Sequence, residues 1–152
     1  MSRLVAAQLP DSLLNVLHTG CPALLLTVGE DRFPNTAYTW VVAVNATTIR
    51  FGADHGSATL ANLEREQRAS LQIIAEGNQI YLIKGNASII KPQIEAAPFK
   101  IAMVALEVAM VKDQSWPGIS IQPLTYEWSP EQRQEMLAME RAVYGELREW
   151  PD

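Results

Sequence analysis

What most constrains this chain is a succession of short apolar segments with strand character, joined by tight polar turns. Five of them follow one another at residues 21–28, 35–44, 48–53, 68–75 and 79–90, and residues 99–111 add a sixth. The joints are rich in turn formers: Gly29-Glu30-Asp31-Arg32, Asn45-Ala46-Thr47 and Glu76-Gly77-Asn78. Connections this short join antiparallel neighbours. In the second segment Tyr38, Trp40 and Val42 alternate with Ala37, Thr39, Val41 and Ala43. Both faces are largely apolar, the pattern of a strand covered on two sides. Residues 99–111 also carry helix formers, but their alternation and flanking prolines allow a strand, and a closed barrel needs another long member. The expected fold is mainly β: an antiparallel six- or seven-stranded barrel with peripheral helices.

The helices have their own start and stop signals. Residues 11–18 follow Pro10 and end at Gly20, with Leu13, Leu14 and Leu17 on one face. A second helix starts after Ser57, turning Leu60 and Leu63 inward and Glu64, Arg65 and Glu66 to water. Residues 93–97, between two prolines, have room for one helical turn. Ser129-Pro130-Glu131-Gln132 reads as a helix start with Ser as N-cap, Pro in the first position and Gln completing a capping box. Met136, Met139, Val143, Leu147 and Trp150 then form an apolar stripe for the barrel or a dimer interface. One domain over residues 1–152 is expected, with the barrel at about 21–128 and the last helix at about 129–150.

Composition excludes several classes of function. A net charge of −5 without any run of Lys and Arg gives no electrostatic reason to expect nucleic acid. The longest apolar run, 101–111, contains Glu107 and falls short of the ~20 residues that span a bilayer, so no membrane is expected. The polar first eight residues do not read as a signal peptide. Cys21, the lone cysteine, has no internal disulfide partner and reads as an inert buried thiol, and no Cys/His cluster suggests a metal. A reducing, cytoplasmic setting is the simplest expectation.

The stretch from Phe51 to Leu63 carries the chemistry. A strand ends in a polar corner, and Ser57 can cap the helix that follows, so N–H groups and a helix N-terminus converge where an anion such as a phosphate is favoured. Thr59 can donate its hydroxyl to such an anion or simply face water. His55 is a phosphate ligand, an acid/base group or a solvated loop residue. Tyr38 and Trp40 either flank a flat ring or belong to the core or an interface. Trp116, in a Pro-Gly turn, is a candidate to close over a ligand.

The order of these elements resembles the pyridoxamine 5′-phosphate oxidase-like family of FMN-binding split β-barrels. The likeness runs roughly from residue 12 to 111. It rests on the strand pair around Pro34, on the corner ending in Asn62-Leu63, and on Ile80-Tyr81-Leu82-Ile83-Lys84-Gly85-Asn86-Ala87 with its central glycine. The resemblance implies a Greek-key-like split barrel and a homodimer with FMN at the subunit interface. It also implies cofactor-binding roles for Thr39, Trp40 and Val41 on the second strand, His55, Ser57 and Thr59 at the corner, and Gln79. Ser57 matches the family's Ser-x-Lys corner, but Thr59 stands where the lysine would be. Ala58 stands at an arginine position of the oxidase, and the second strand lacks the family's basic residue. Arg50 could supply a cation if its side chain turned to the cleft. The acidic C-terminal helix does not match the basic residues with which the oxidase recognises its vitamin substrate. The implied function is FMN binding, with flavin-dependent oxidation or reduction of an unidentified small molecule. The alternative is a non-catalytic flavin- or haem-binding, stress-related module.

Overall fold

The chain enters through a two-residue strand, β1 (Val5–Ala6), and a helix, α1 (Asp11–Thr19), in a computed structural model that describes residues 5–151. Next come β2 (Cys21–Val28), β3 (Pro34–Asn45) and β4 (Thr48–Asp54), then helix α2 (Ala58–Glu66). After it run β5 (Arg68–Ala75), β6 (Gln79–Lys91), β7 (Ile101–Asp113) and the long helix α3 (Arg133–Glu149). Every strand pairing is antiparallel, and the order β7-β4-β3-β2-β5-β6 closes on itself through β6 and β7. The barrel therefore has six strands. β1 is an addition on β7, pairing at Lys112 and Val111. Two residues are too few to show a period, which is why sequence alone does not find it.

Residues 101–113 are strand despite their helix formers, because β7 finds partners on both edges. Gly85 has a defined job there. It lies beside a register shift between β6 and β7, and a Cβ in its place would run into the Glu107 carbonyl. Only glycine lets the two backbones come this close.

The barrel interior is filled by residues such as Leu25, Val41, Phe51, Leu71, Ile73, Ile83 and Leu106, all buried. α1 closes one end with Leu13 and Leu17, each worth ~1.5–3 kcal/mol of apolar burial. A second core lies outside the barrel wall. There Val42 and Met103 meet Met139, Val143 and Leu147 of α3, together with Ile94 and Ala97. This explains the two apolar faces of β3: Val41 points into the barrel while Val42 points under α3.

Two charged groups are buried beneath α3. Arg50, only 1% exposed, donates Nη1 to the carbonyls of Leu147 (3.0 Å) and Trp150 (2.6 Å). It is spent on the C-terminal carbonyls of the helix, where a cation is favoured, and does not turn to the cleft as the sequence allowed. Lys91 pairs with Glu146 at 2.7 Å and lies 3.7 Å from the centroid of the Trp150 ring.

The start of α3 differs from the sequence reading. Its N-cap is Gln132, without a side-chain cap bond, so the expected Ser129 capping box does not form. Instead Gln132 N–H donates to the Ser129 carbonyl at 3.0 Å, making a turn before the helix begins. Residues 93–97 likewise make turns and no helix, held by Ile94 and Ala97 N–H bonds to Ile101 and Ile94. Among the described residues no helix is long and apolar enough to cross a membrane.

Candidate functional site

The ladder between β3 and β4 is paired from Thr48 to Phe51, which sits opposite Val41, and the two strands then part. β3 stays with β2 as far as Pro34, and β4 stays with β7 as far as Asp54. One side chain manages the separation. Thr39 Oγ1 donates to the Gly52 carbonyl at 2.6 Å and accepts from the Gly52 N–H at 3.2 Å. A single buried hydroxyl thus satisfies both backbone groups that a continued ladder would have used. A Cβ at Gly52 would press on the Ile101 side chain, which would have to shift.

The opening is a cleft of about 420 Å³, within the ~300–1,000 Å³ usual for small-molecule sites. Trp40 and Phe99 form one wall, their rings stacked at 6.0 Å and 26°. Tyr126 and Trp128, edge to face at 5.6 Å, come from the irregular segment before α3. Asp54, Ser57 and Thr59 also line the cleft, where α2 begins. Ser57 caps that helix as expected, its Oγ accepting from Leu60 N–H at 3.1 Å and donating to the Asp54 carbonyl at 2.6 Å. Thr59 is buried, and its Oγ1 accepts from Asn35 Nδ2 at 3.1 Å.

The aromatic cluster is wired to α3. Trp40 Nε1 donates to the Tyr126 hydroxyl at 2.6 Å. That hydroxyl donates in a very short bond to Glu140, whose same oxygen accepts from Trp128 Nε1 at 2.6 Å. Burial, and then the Glu140 hydrogen bond, push the Tyr126 phenol well above the usual tyrosine range; the bond from Trp40 opposes this only in part.

Of the residues read from sequence as a site, Tyr38, Thr39, Trp40, Ser57 and Thr59 come together around this cleft. Val41 lies inside the barrel core. His55 bonds the Pro92 carbonyl through Nε2 at 2.5 Å, and Gln79 pairs with Ala75 at the β5–β6 turn; neither lines the cleft. Trp116 is 55% exposed and also lies apart from it. Tyr126, Trp128, Phe99 and Glu140 are absent from the sequence reading. The one signal for them is a pair of aromatics two apart, just before a helix. Burial pushes the Cys21 thiol up to about 12, so it is protonated at neutral pH, in keeping with an inert buried thiol.

The family model described as pyridoxamine 5′-phosphate oxidase matches residues 10–122, most of the chain. The chain belongs to the pyridoxamine 5′-phosphate oxidase-like family. Solved structures repeat its fold. An F420 reductase is 14% identical with a TM-score of 0.58, covering 68% of this chain and 98% of that one. A candidate pyridoxamine 5′-phosphate oxidase from Lactobacillus delbrueckii is 16% identical with a TM-score of 0.59, covering 73% and 98%. HupZ from Group A Streptococcus is 15% identical with a TM-score of 0.57, covering 75% and 99%. At these identities the likeness is one of fold. No curated protein matches the chain by sequence. In the terms of the pyridoxamine 5′-phosphate oxidase-like family, the corner at Ser57 and the strand that carries Thr39 and Trp40 lie on the same cleft.

Proposed function

We propose that this protein is a homodimer that binds FMN in the cleft between β3 and β4 and oxidises or reduces a small molecule. The observation that carries this reading is one cleft lined both by an aromatic cluster and by the capped N-terminus of α2. Membership of the family points the same way. Trp40, Phe99 and Trp128 suit a flat conjugated ring. The Thr59 hydroxyl and the N–H groups of Ala58 and Thr59, which have no acceptor within the helix, suit the phosphate. The residues therefore fit the cofactor, without a cation at the phosphate end. Weak binding is expected, since neutral hydrogen bonds are about half as strong as charge-assisted ones. The flavin would supply the redox chemistry, and the chain would hold it, exclude water and orient it. Phe33 and Tyr38, 70% and 71% exposed around the β2–β3 hairpin, support a second protomer as neighbour. The free Cys21 suits a reducing, cytoplasmic setting.

A second reading, a non-catalytic flavin- or haem-binding module of the stress-related kind, has one observation in its favour. The titratable residues among those lining the cleft are Asp54, Tyr38 and Tyr126, with no histidine, lysine, cysteine or glutamate beside them, and burial and the Glu140 bond hold Tyr126 protonated.

The visible spectrum of freshly purified protein separates the two, followed by mass spectrometry of what denaturation releases. Flavin bands, with bleaching by a reduced nicotinamide or another donor, support the oxidoreductase. Flavin that no donor bleaches, or a haem spectrum after reconstitution, supports the binding module. A protein that neither carries nor takes up flavin sinks the first reading, and light scattering that finds a monomer sinks the dimer.

A further inference from the structure

We infer that the cleft takes a flavin with an uncharged polyol tail, such as riboflavin, at least as readily as phosphorylated FMN. This rests on the flavin-binding reading above and names the form of ligand that the site's own chemistry prefers.

The first reason is the charge inventory. Among the residues lining the cleft the one carrying formal charge is Asp54, and it is negative. Lys100, between the lining residues Phe99 and Ile101, is exposed and does not itself line the cleft, and four other cationic side chains are engaged elsewhere. Arg50 lies buried beneath α3 on the Leu147 and Trp150 carbonyls. Arg65 Nη2 is bound to the Val28 carbonyl at 2.6 Å and to Asn62 Oδ1 at 3.1 Å. Lys91 is paired with Glu146, and His55 is held on Pro92. A phosphate dianion at this corner would meet a like charge with no lysine or arginine of the described chain lining the site to offset it.

The second reason is the kind of polar group present. A phosphate dianion offers only acceptors and wants only donors. Ser57 has already given its single hydroxyl proton to the Asp54 carbonyl, so it has no donor left. Thr59, with Asn35 on its oxygen, still has a proton to donate. The corner therefore pairs donors, at Thr59 and the first turn of α2, with an acceptor residue, Asp54. A sugar-alcohol hydroxyl both donates and accepts and can use both kinds of group, whereas a phosphate can use only the donors. The apolar, aromatic remainder of the cleft takes the ring equally well from either ligand.

Calorimetric titration of the purified protein with riboflavin and with FMN, at the same ionic strength, tests this. A riboflavin Kd below that of FMN, or within about threefold of it, is the expected result. FMN tighter by more than about threefold overturns the inference and leaves the flavin reading standing. Failure of both to bind overturns the two together. Asp54→Asn removes the negative charge at an exposed position, so folding is expected to persist. It should tighten FMN relative to riboflavin by roughly threefold or more, as expected for two charges several ångströms apart in a wet site. FMN affinity unmoved by Asp54→Asn would mean that the charge at the corner does not decide the ligand, and would also overturn the inference.

Discussion

The Thr39 hydroxyl bonds both the N–H and the carbonyl of Gly52, at 3.2 and 2.6 Å, at the point where β3 leaves β4. The cleft exists because one side chain stands in for a rung of the ladder. Thr39→Val keeps the shape and removes both bonds, leaving two backbone groups of Gly52 without this partner. Stability should fall by roughly 1–3 kcal/mol, seen as a lower urea midpoint at unchanged slope. An unchanged midpoint would mean that the strands part for another reason.

Thr59 stands where the family's corner lysine would be, buried at the α2 corner of the cleft. Thr59→Lys adds the missing cation and should tighten FMN roughly tenfold, a charge-assisted bond adding about 1.4 kcal/mol over a neutral one. Riboflavin should not gain. If FMN affinity stays level or falls in a variant whose circular dichroism is native, the corner is only a capped helix and the site assignment is wrong.

Glu140 receives both Tyr126 and Trp128, and so ties the wall of the cleft to α3. Its hydrogen bond and its charge both help to hold the Tyr126 phenol above its ordinary value, after burial. A raised phenol pKa favours the folded state below the unfolded value of ~10, a contribution lost as pH rises towards the folded value. Glu140→Ala should therefore bring one tyrosine back towards the ordinary range in an alkaline absorbance titration, and alter tryptophan emission. A titration curve superimposable on the parent protein would show that Glu140 does not hold Tyr126.

Glu146 accepts from Lys91 at 2.7 Å and from the N–H groups of Glu95 and Ala96 at 3.0 and 2.9 Å. Burial alone would raise its carboxyl, but these partners outweigh burial and hold it below its ordinary value. Its contribution is then complete above the unfolded value of ~4.3 and is lost as pH falls through the lower folded value. The thermal midpoint should drop on acidification below about pH 4 more steeply in the parent than in Glu146→Gln. Lys91→Met should cost about 3 kcal/mol, the lower end for breaking a buried pair, because two N–H groups stay on the carboxylate. Equal acid slopes in parent and Glu146→Gln would refute the linkage.

Much of the fold was legible because it is locally encoded. β2 and β5 run over the residues that alternation and turn chemistry mark out, and Ser57 caps α2 where its position before Leu60 indicates. The Ser129 capping box failed although its residues are right. A cap motif states what a helix start can use, whereas the packing around Trp128 and Glu140 places the first turn three residues later. Part of the cleft was legible through Tyr38, Thr39, Trp40, Ser57 and Thr59. Its remaining aromatic residues, Phe99, Tyr126 and Trp128, lie in turns and irregular chain, where no period marks a side chain as facing a site.

By itself the sequence determined an antiparallel barrel with a capped helix after the third long strand, because period, turn residues and caps act over a few neighbours. Only the tertiary structure decided that the barrel splits at Thr39, that Arg50 serves α3 instead of the cleft, and that Tyr126 closes the wall against Trp40. Those contacts join residues 13, 97 and 86 positions apart. Such pairings depend on the order in which strands close and on which face α3 covers. No local pattern of residues carries that information.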